Sequence, residues 1–139
     1  MKFYLNLERR VVMYQRLVKV LLIALMLSPG IAGAATDEDF EVKTTRNLIN
    51  LCTVSASDPR AEQAIHFCHG YLVGAYHYYL AESEDPREPR LVCIPEKAVT
   101  RNEAIAMFVE WAKAHPQYMN ERPVDTEFRF LNEKWPCKK

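Results

Sequence analysis

The stretch "FCHGYLVGAYHYYL", residues 67–80, holds two histidines, two glycines, four tyrosines and one cysteine in fourteen positions. Its reading decides the fold. With Ile65, the residues Cys68, Leu72, Tyr76 and Tyr79 recur at three- and four-residue steps, the spacing of one helical face. Phe67, Tyr71 and Val73 occupy other faces, so the helix is apolar nearly all round and is expected to be the buried centre of a bundle. Gly70 and Gly74 each cost about 1 kcal/mol of helix propensity relative to alanine. Two mid-helix glycines therefore predict a neighbouring backbone in close approach.

Working outward, Asp58-Pro59 suits the start of this helix, which is expected over about residues 59–84. A shorter helix, "TRNLINLC", precedes it, with Leu48, Ile49 and Cys52 on one face. Downstream, Thr100 and Glu103 form a capping box that opens a third helix reaching about His115, with Ala104, Ile105, Phe108, Trp111 and Ala112 as its core stripe. Pro116 ends it. Pro123 can open a fourth, in which Val124, Phe128, Leu131 and Trp135 recur. The segment "ATDEDFEVK" reads as a polar lead-in, with the ordered domain starting near Thr44. No alternating run is bounded by turn residues. The fold class is all-α, a small four-helix bundle-like domain with two disulfides.

Residues 1–34 read as a cleavable signal peptide. Basic residues precede the apolar run "VLLIALML", and Ala32-Gly33-Ala34 offers an A-x-A site with cleavage after Ala34. Met13 is an alternative start. The apolar run is far shorter than the roughly 20 residues that span a bilayer, so no stable membrane anchor is expected after cleavage. Residues 35–139 then form a single domain of about 105 residues exported to the periplasm. Five of the 18 basic residues but only one of the 18 acidic ones precede Ala35, leaving a net charge of about −4. Such a balance disfavours nucleic acid and suits a basic protein partner.

In an oxidising compartment Cys52, Cys68, Cys93 and Cys137 read as two disulfides. Four cysteines permit three connectivities. An up-down bundle leans towards Cys52–Cys68 and Cys93–Cys137, because each pair then shares one end of the bundle.

The chemistry-bearing residues give no persuasive active site. His66 and His69 are three apart, but His77 falls about 12 Å along the axis from them and completes no metal site. Cys68 and His69 are adjacent on the helix and point about 100° apart, which excludes a thiol with its base. The carboxylates of "AESEDPREPR" alternate with arginines and read as a solvated charge run. No cofactor, metal ligand set or catalytic residue is expected. Tyr76, Tyr78 and Tyr79 wrap too far round the helix to be all core, and are candidates for a homodimer interface.

In order along the chain, "NLINLC", "FCHGYLVGAY", "VCIPEKAVTRNEAIAMFVEWAKAHP" and "WPC" resemble the Rap/Tai family of immunity proteins from bacterial type VI secretion systems. The resemblance runs from about Asn47 to Cys137. Its most specific parts are Cys68-x-Gly70-Tyr71-x-x-Gly74, the Cys93-Ile94-Pro95 corner, Ala114-His115-Pro116 and Pro136-Cys137. What it implies is an all-helical, disulfide-bonded periplasmic protein, often a homodimer, that inhibits an injected peptidoglycan amidase by occlusion. It implies a projecting loop as the inhibitory element. The matching segment is "PQYMNER", comprising Pro116, Gln117, Tyr118, Met119, Asn120, Glu121 and Arg122, with Tyr118 as anchor and Glu121 facing a basic cleft rim. From a different class, four histidines and many carboxylates also fit a small acid-stress chaperone whose dimer opens on protonation.

Overall fold

Thr36, Thr44 and Thr100 decide where three of the helices begin. Each has extended backbone and accepts a hydrogen bond from the backbone N–H three residues on, while the side chain at that third position accepts one from the threonine N–H. The structure is a computed structural model describing residues 34–84, 90–95 and 99–137. Residues 1–33 of the signal segment and residues 85–89 of the charged loop lie outside it. The three capped helices are α1 (Asp37–Glu41), α2 (Thr45–Cys52) and α4 (Arg101–Ala114). Between them runs α3 (Ala61–Glu82), and α5 (Pro123–Lys134) follows a short 3₁₀ turn at Pro116–Tyr118. The described residues are thus all-α, with one isolated antiparallel bridge between Val92 and Pro136.

Two expectations about these elements need correction. The segment read as a polar lead-in is ordered, because Thr36 and Asp39 cap α1 and Asn50 of α2 donates to Asp39 Oδ1 at 2.9 Å. Burial alone would raise the Asp39 carboxyl, but hydrogen bonds from Thr36, Asn50 and Asn47 outweigh it and hold the group below its ordinary value. The second correction concerns the centre of the domain. Leu48, Leu51 and Thr45 of the eight-residue α2 are fully buried, and α2 packs against α1, α3, α4 and α5.

The long helix α3 buries only Ala64, Cys68 and Leu72 completely and leaves its other side to solvent. Phe67 is 39% and Tyr78 68% exposed. A methyl group added at Gly70 or Gly74 would meet nothing within 4 Å. Among the described residues nothing meets these glycines, so the close approach expected there does not occur among them.

On α5 the buried positions are Pro123, Thr126, Glu127, Phe130 and Leu131. Of the expected stripe, only Leu131 is fully buried; Val124, Phe128 and Trp135 are half-buried. The helix is rotated because a polar residue can face inward when paired: the Thr126 and Thr45 hydroxyls are 2.7 Å apart inside the core. On α4, Ile105, Phe108 and Ala112 are buried together with Val109, while Ala104 and Trp111 are half-buried.

Disulfides join Cys52 to Cys68, with Cα atoms 5.3 Å apart, and Cys93 to Cys137, at 4.9 Å. The first ties the end of α2 to α3. The second ties the segment before α4 to the C-terminal segment, where Cys93 N–H donates to the Trp135 carbonyl and Cys137 N–H to that of Leu91.

Candidate partner-binding surface

Segment 116–122 is a tightly held turn. Glu121 C=O accepts from Thr45 N–H at 2.8 Å, and Met119 C=O accepts from Arg46 N–H at 2.9 Å. These are first-turn N–H groups of α2, which have no intrahelical acceptor, so the turn supplies the missing partners of the central helix. The Thr45 hydroxyl also donates to Glu121 C=O, at 3.1 Å. Inside the turn, Tyr118 N–H donates to His115 C=O and Glu121 N–H to Tyr118 C=O, both at 3.0 Å.

Aromatic stacking fixes the outer side. Trp111 and His115 rings stack at 4.1 Å, and the Tyr118 ring lies nearly parallel to Trp111 with centroids 5.7 Å apart. The Arg129 guanidinium sits 4.9 Å over the Tyr118 ring, and its Nε donates to Glu121 Oε2 at 3.1 Å. His115 Nδ1 is 2.7 Å from the Trp111 carbonyl. Arg122 grips Asp125 with two nitrogens, at 2.8 and 3.2 Å.

Of the seven candidate residues, Pro116, Gln117, Asn120 and Arg122 are exposed, whereas Tyr118 and Glu121 are half-buried. Met119 is 8% exposed and belongs to the core. Tyr118 is thus committed to an intramolecular stack, offering an edge rather than a free ring. Thr45, Thr126 and Arg129 escaped the sequence reading, which places Trp111 only in the core stripe of α4. Trp111, His115 and Tyr118, spaced at i, i+4 and i+7, carried a signal that the helical face continues past Pro116. Nothing local marks Thr45 and Thr126, since their pairing spans 81 residues.

The three tyrosines on α3 separate in role. Tyr79 packs on Phe128 at 5.0 Å, and its hydroxyl accepts from the N–H groups of Leu91 and Val92 at 2.8 and 2.9 Å. Tyr76 packs against the core. Tyr78 alone of the three points out, on the same arc as Phe67, Gly70 and Gly74.

The histidines are also dispersed. His66 and His77 are exposed, and His69 is half-buried, its pKa lowered by burial and by the nearby charges of Arg101 and His66. Among the described residues no three His, Cys, Asp or Glu side chains gather as a metal site.

The geometry defines a class: a small disulfide-bonded helical domain whose 116–122 turn is braced by its central helix. The family model of the Rap1a immunity proteins matches residues 44–137. The chain belongs to that family. No curated protein and no solved structure matches it.

Proposed function

We propose that the protein is a periplasmic immunity protein, exported by cleavage after Ala34, that binds a type VI secretion peptidoglycan amidase and blocks its cleft. The observation that carries this reading is the family match over 44–137, which includes every helix except α1. The braced turn supports occlusion as the mechanism. A segment already fixed by backbone hydrogen bonds from Thr45, Arg46, Tyr118, Met119 and Glu121 to carbonyls of the turn and of His115 loses little conformational entropy on binding, so more of its contact energy appears as affinity. Gln117, Asn120 and Arg122 form the contact surface, with the Tyr118 edge as its centre. Inhibition needs no chemistry from the immunity protein, so it acts as a binding module and not as an enzyme.

A homodimer uses the open side of α3. Phe67, Gly70, Gly74 and Tyr78 lie within one arc of the helix, and the glycines leave a flat strip on which a second helix can approach closely.

The test is co-purification with an amidase encoded next to this protein, followed by peptidoglycan hydrolysis with and without it. A stoichiometric complex without hydrolysis supports the proposal. Asn120→Arg and Gln117→Arg, both at exposed positions, are expected to weaken inhibition at least about tenfold with thermal stability unchanged. Full inhibition by both variants would remove the turn from the interface. Absence of any complex would overturn the amidase reading.

A further inference from the structure

Between α3, α4, α5 and the residues Ile94, Pro95 and Val99 lies an open-sided cavity of about 370 Å³. Its floor is apolar, formed by the buried side chains of Leu72, Ile105, Phe108 and Leu131, with one exception. Glu127 lines the cavity, is 4% exposed, and its Oε2 has no hydrogen-bond partner among the described residues. The open side is polar, where His77, Thr100 and Arg101 are exposed.

A buried carboxyl with an unpartnered oxygen is a costly arrangement, and an apolar residue of similar volume would remove the cost. Its chemistry matches a ligand that brings both an apolar body and a donor. We propose that this cavity is a binding site for a small primary ammonium compound with an apolar body, whose ammonium group pairs with the Glu127 carboxylate. Space permits it, since a cavity of about 150 Å³ already accepts a benzene ring. In its ionised form the Glu127 carboxylate attracts a cation and repels an anion, and its charge-assisted hydrogen bond to an ammonium is stronger than the bond a neutral alcohol makes.

Burial pushes the Glu127 carboxyl up to about 8, so near neutral pH the empty site holds its proton. Binding of the ammonium then releases that proton to solvent, leaving a carboxylate–ammonium pair. Among the described residues, the other titratable or charged groups lining the cavity or near Glu127 are Tyr71, Tyr76 and His77 on α3, Arg101 on α4, Arg122 just before α5 and Asp125 on it. Both phenols are raised above their ordinary value, chiefly by burial, and remain neutral here. Arg101 stands at the exposed side of the cavity.

This site is independent of the immunity reading. The probe is hexylammonium, compared with hexanol and hexanoate, followed through the methyl resonances of Leu72, Ile105 and Leu131 in the purified protein. Saturable shifts are expected with hexylammonium, at least about tenfold tighter than with hexanol, and none with hexanoate. Calorimetry in two buffers of different ionisation heat is expected to register proton release near neutral pH.

Glu127→Gln, an isosteric change, should remove the tenfold preference while leaving hexanol binding unchanged. Ala104→Leu, which fills the cavity wall, should abolish binding of both. Equal affinity for hexylammonium and hexanol, unaltered hexylammonium binding to Glu127→Gln, or no saturation below about 10 mM would each overturn the assignment.

Discussion

Glu127 carries the clearest pH signature at the scale of single residues. Its carboxyl titrates at about 8 in the folded protein against an ordinary value of 4.5, because burial penalises the charged form. Between these two values the folded state binds more protons than the unfolded state, so stability falls as pH rises from about 4.5 to about 8 and levels off above. At about 1.4 kcal/mol per unit, the full effect is on the order of a few kcal/mol. Glu127→Gln removes the ionisation, and its urea midpoint is expected not to decline between pH 5 and pH 8.5, where that of the parent does. Asp39 acts in the opposite sense. Its lowered pKa contributes stability that is present above the ordinary carboxylate value and lost only as pH falls through the folded one.

Ala35 is buried and its N–H donates to Asp58 Oδ2 at 2.9 Å, while Ala34 is exposed. Cleavage after Ala34 would place an ammonium on that nitrogen and turn a neutral hydrogen bond into a charge-assisted one. In processed protein, Asp58→Asn is then expected to cost about 1–3 kcal/mol, measured by denaturant unfolding. N-terminal sequencing starting elsewhere than Ala35 would remove the basis for this expectation.

Among the elements, α3 has the most instructive mismatch between sequence and surroundings. Its composition argues for burial on every side, yet one arc meets solvent in the single chain. At Gly70 and Gly74 an added methyl group has free space, so alanine should restore about 1 kcal/mol of helix propensity at each position. If the arc is a dimer face, the same methyl groups will hold the partner helix away. Gly70→Ala with Gly74→Ala is therefore expected to raise the melting temperature of the monomer and to lower the dimer fraction in light scattering. A higher melting temperature with association unchanged would move the dimer contact off this arc. The opposite case is α2, a short helix with a capping box whose first N–H groups are completed by a turn over seventy residues away.

For the molecule as a whole, the two bridges limit the unfolded chain in unequal measure. Cys52 and Cys68 are 16 residues apart and Cys93 and Cys137 are 44 apart. In the chain-entropy model these loops are worth about 3 and about 4 kcal/mol. Replacing both cysteines of the second bridge by alanine is expected to lower stability more than the same change at the first, as read from denaturant midpoints. The reverse order would mean that native packing around Cys52 and Cys68 outweighs loop entropy. Both bridges accord with an oxidising compartment.

The sequence by itself determined what depends on neighbours a few residues away. Thr100 with Glu103, Pro116 and Pro123 marked helix ends because capping and proline geometry act within one turn. The three- and four-residue recurrence of Cys68, Leu72 and Tyr79 marked the long helix, and the order of the short motifs marked the family. Only the tertiary structure decided which sides of those helices are covered. That α2 is the centre, that Glu127 rather than Phe128 faces inward, and that the turn at 119–121 completes α2 all depend on contacts between distant segments. The physical reason is range: periodicity shows that a helix has an apolar side, but burial is settled by whichever elements stack against it.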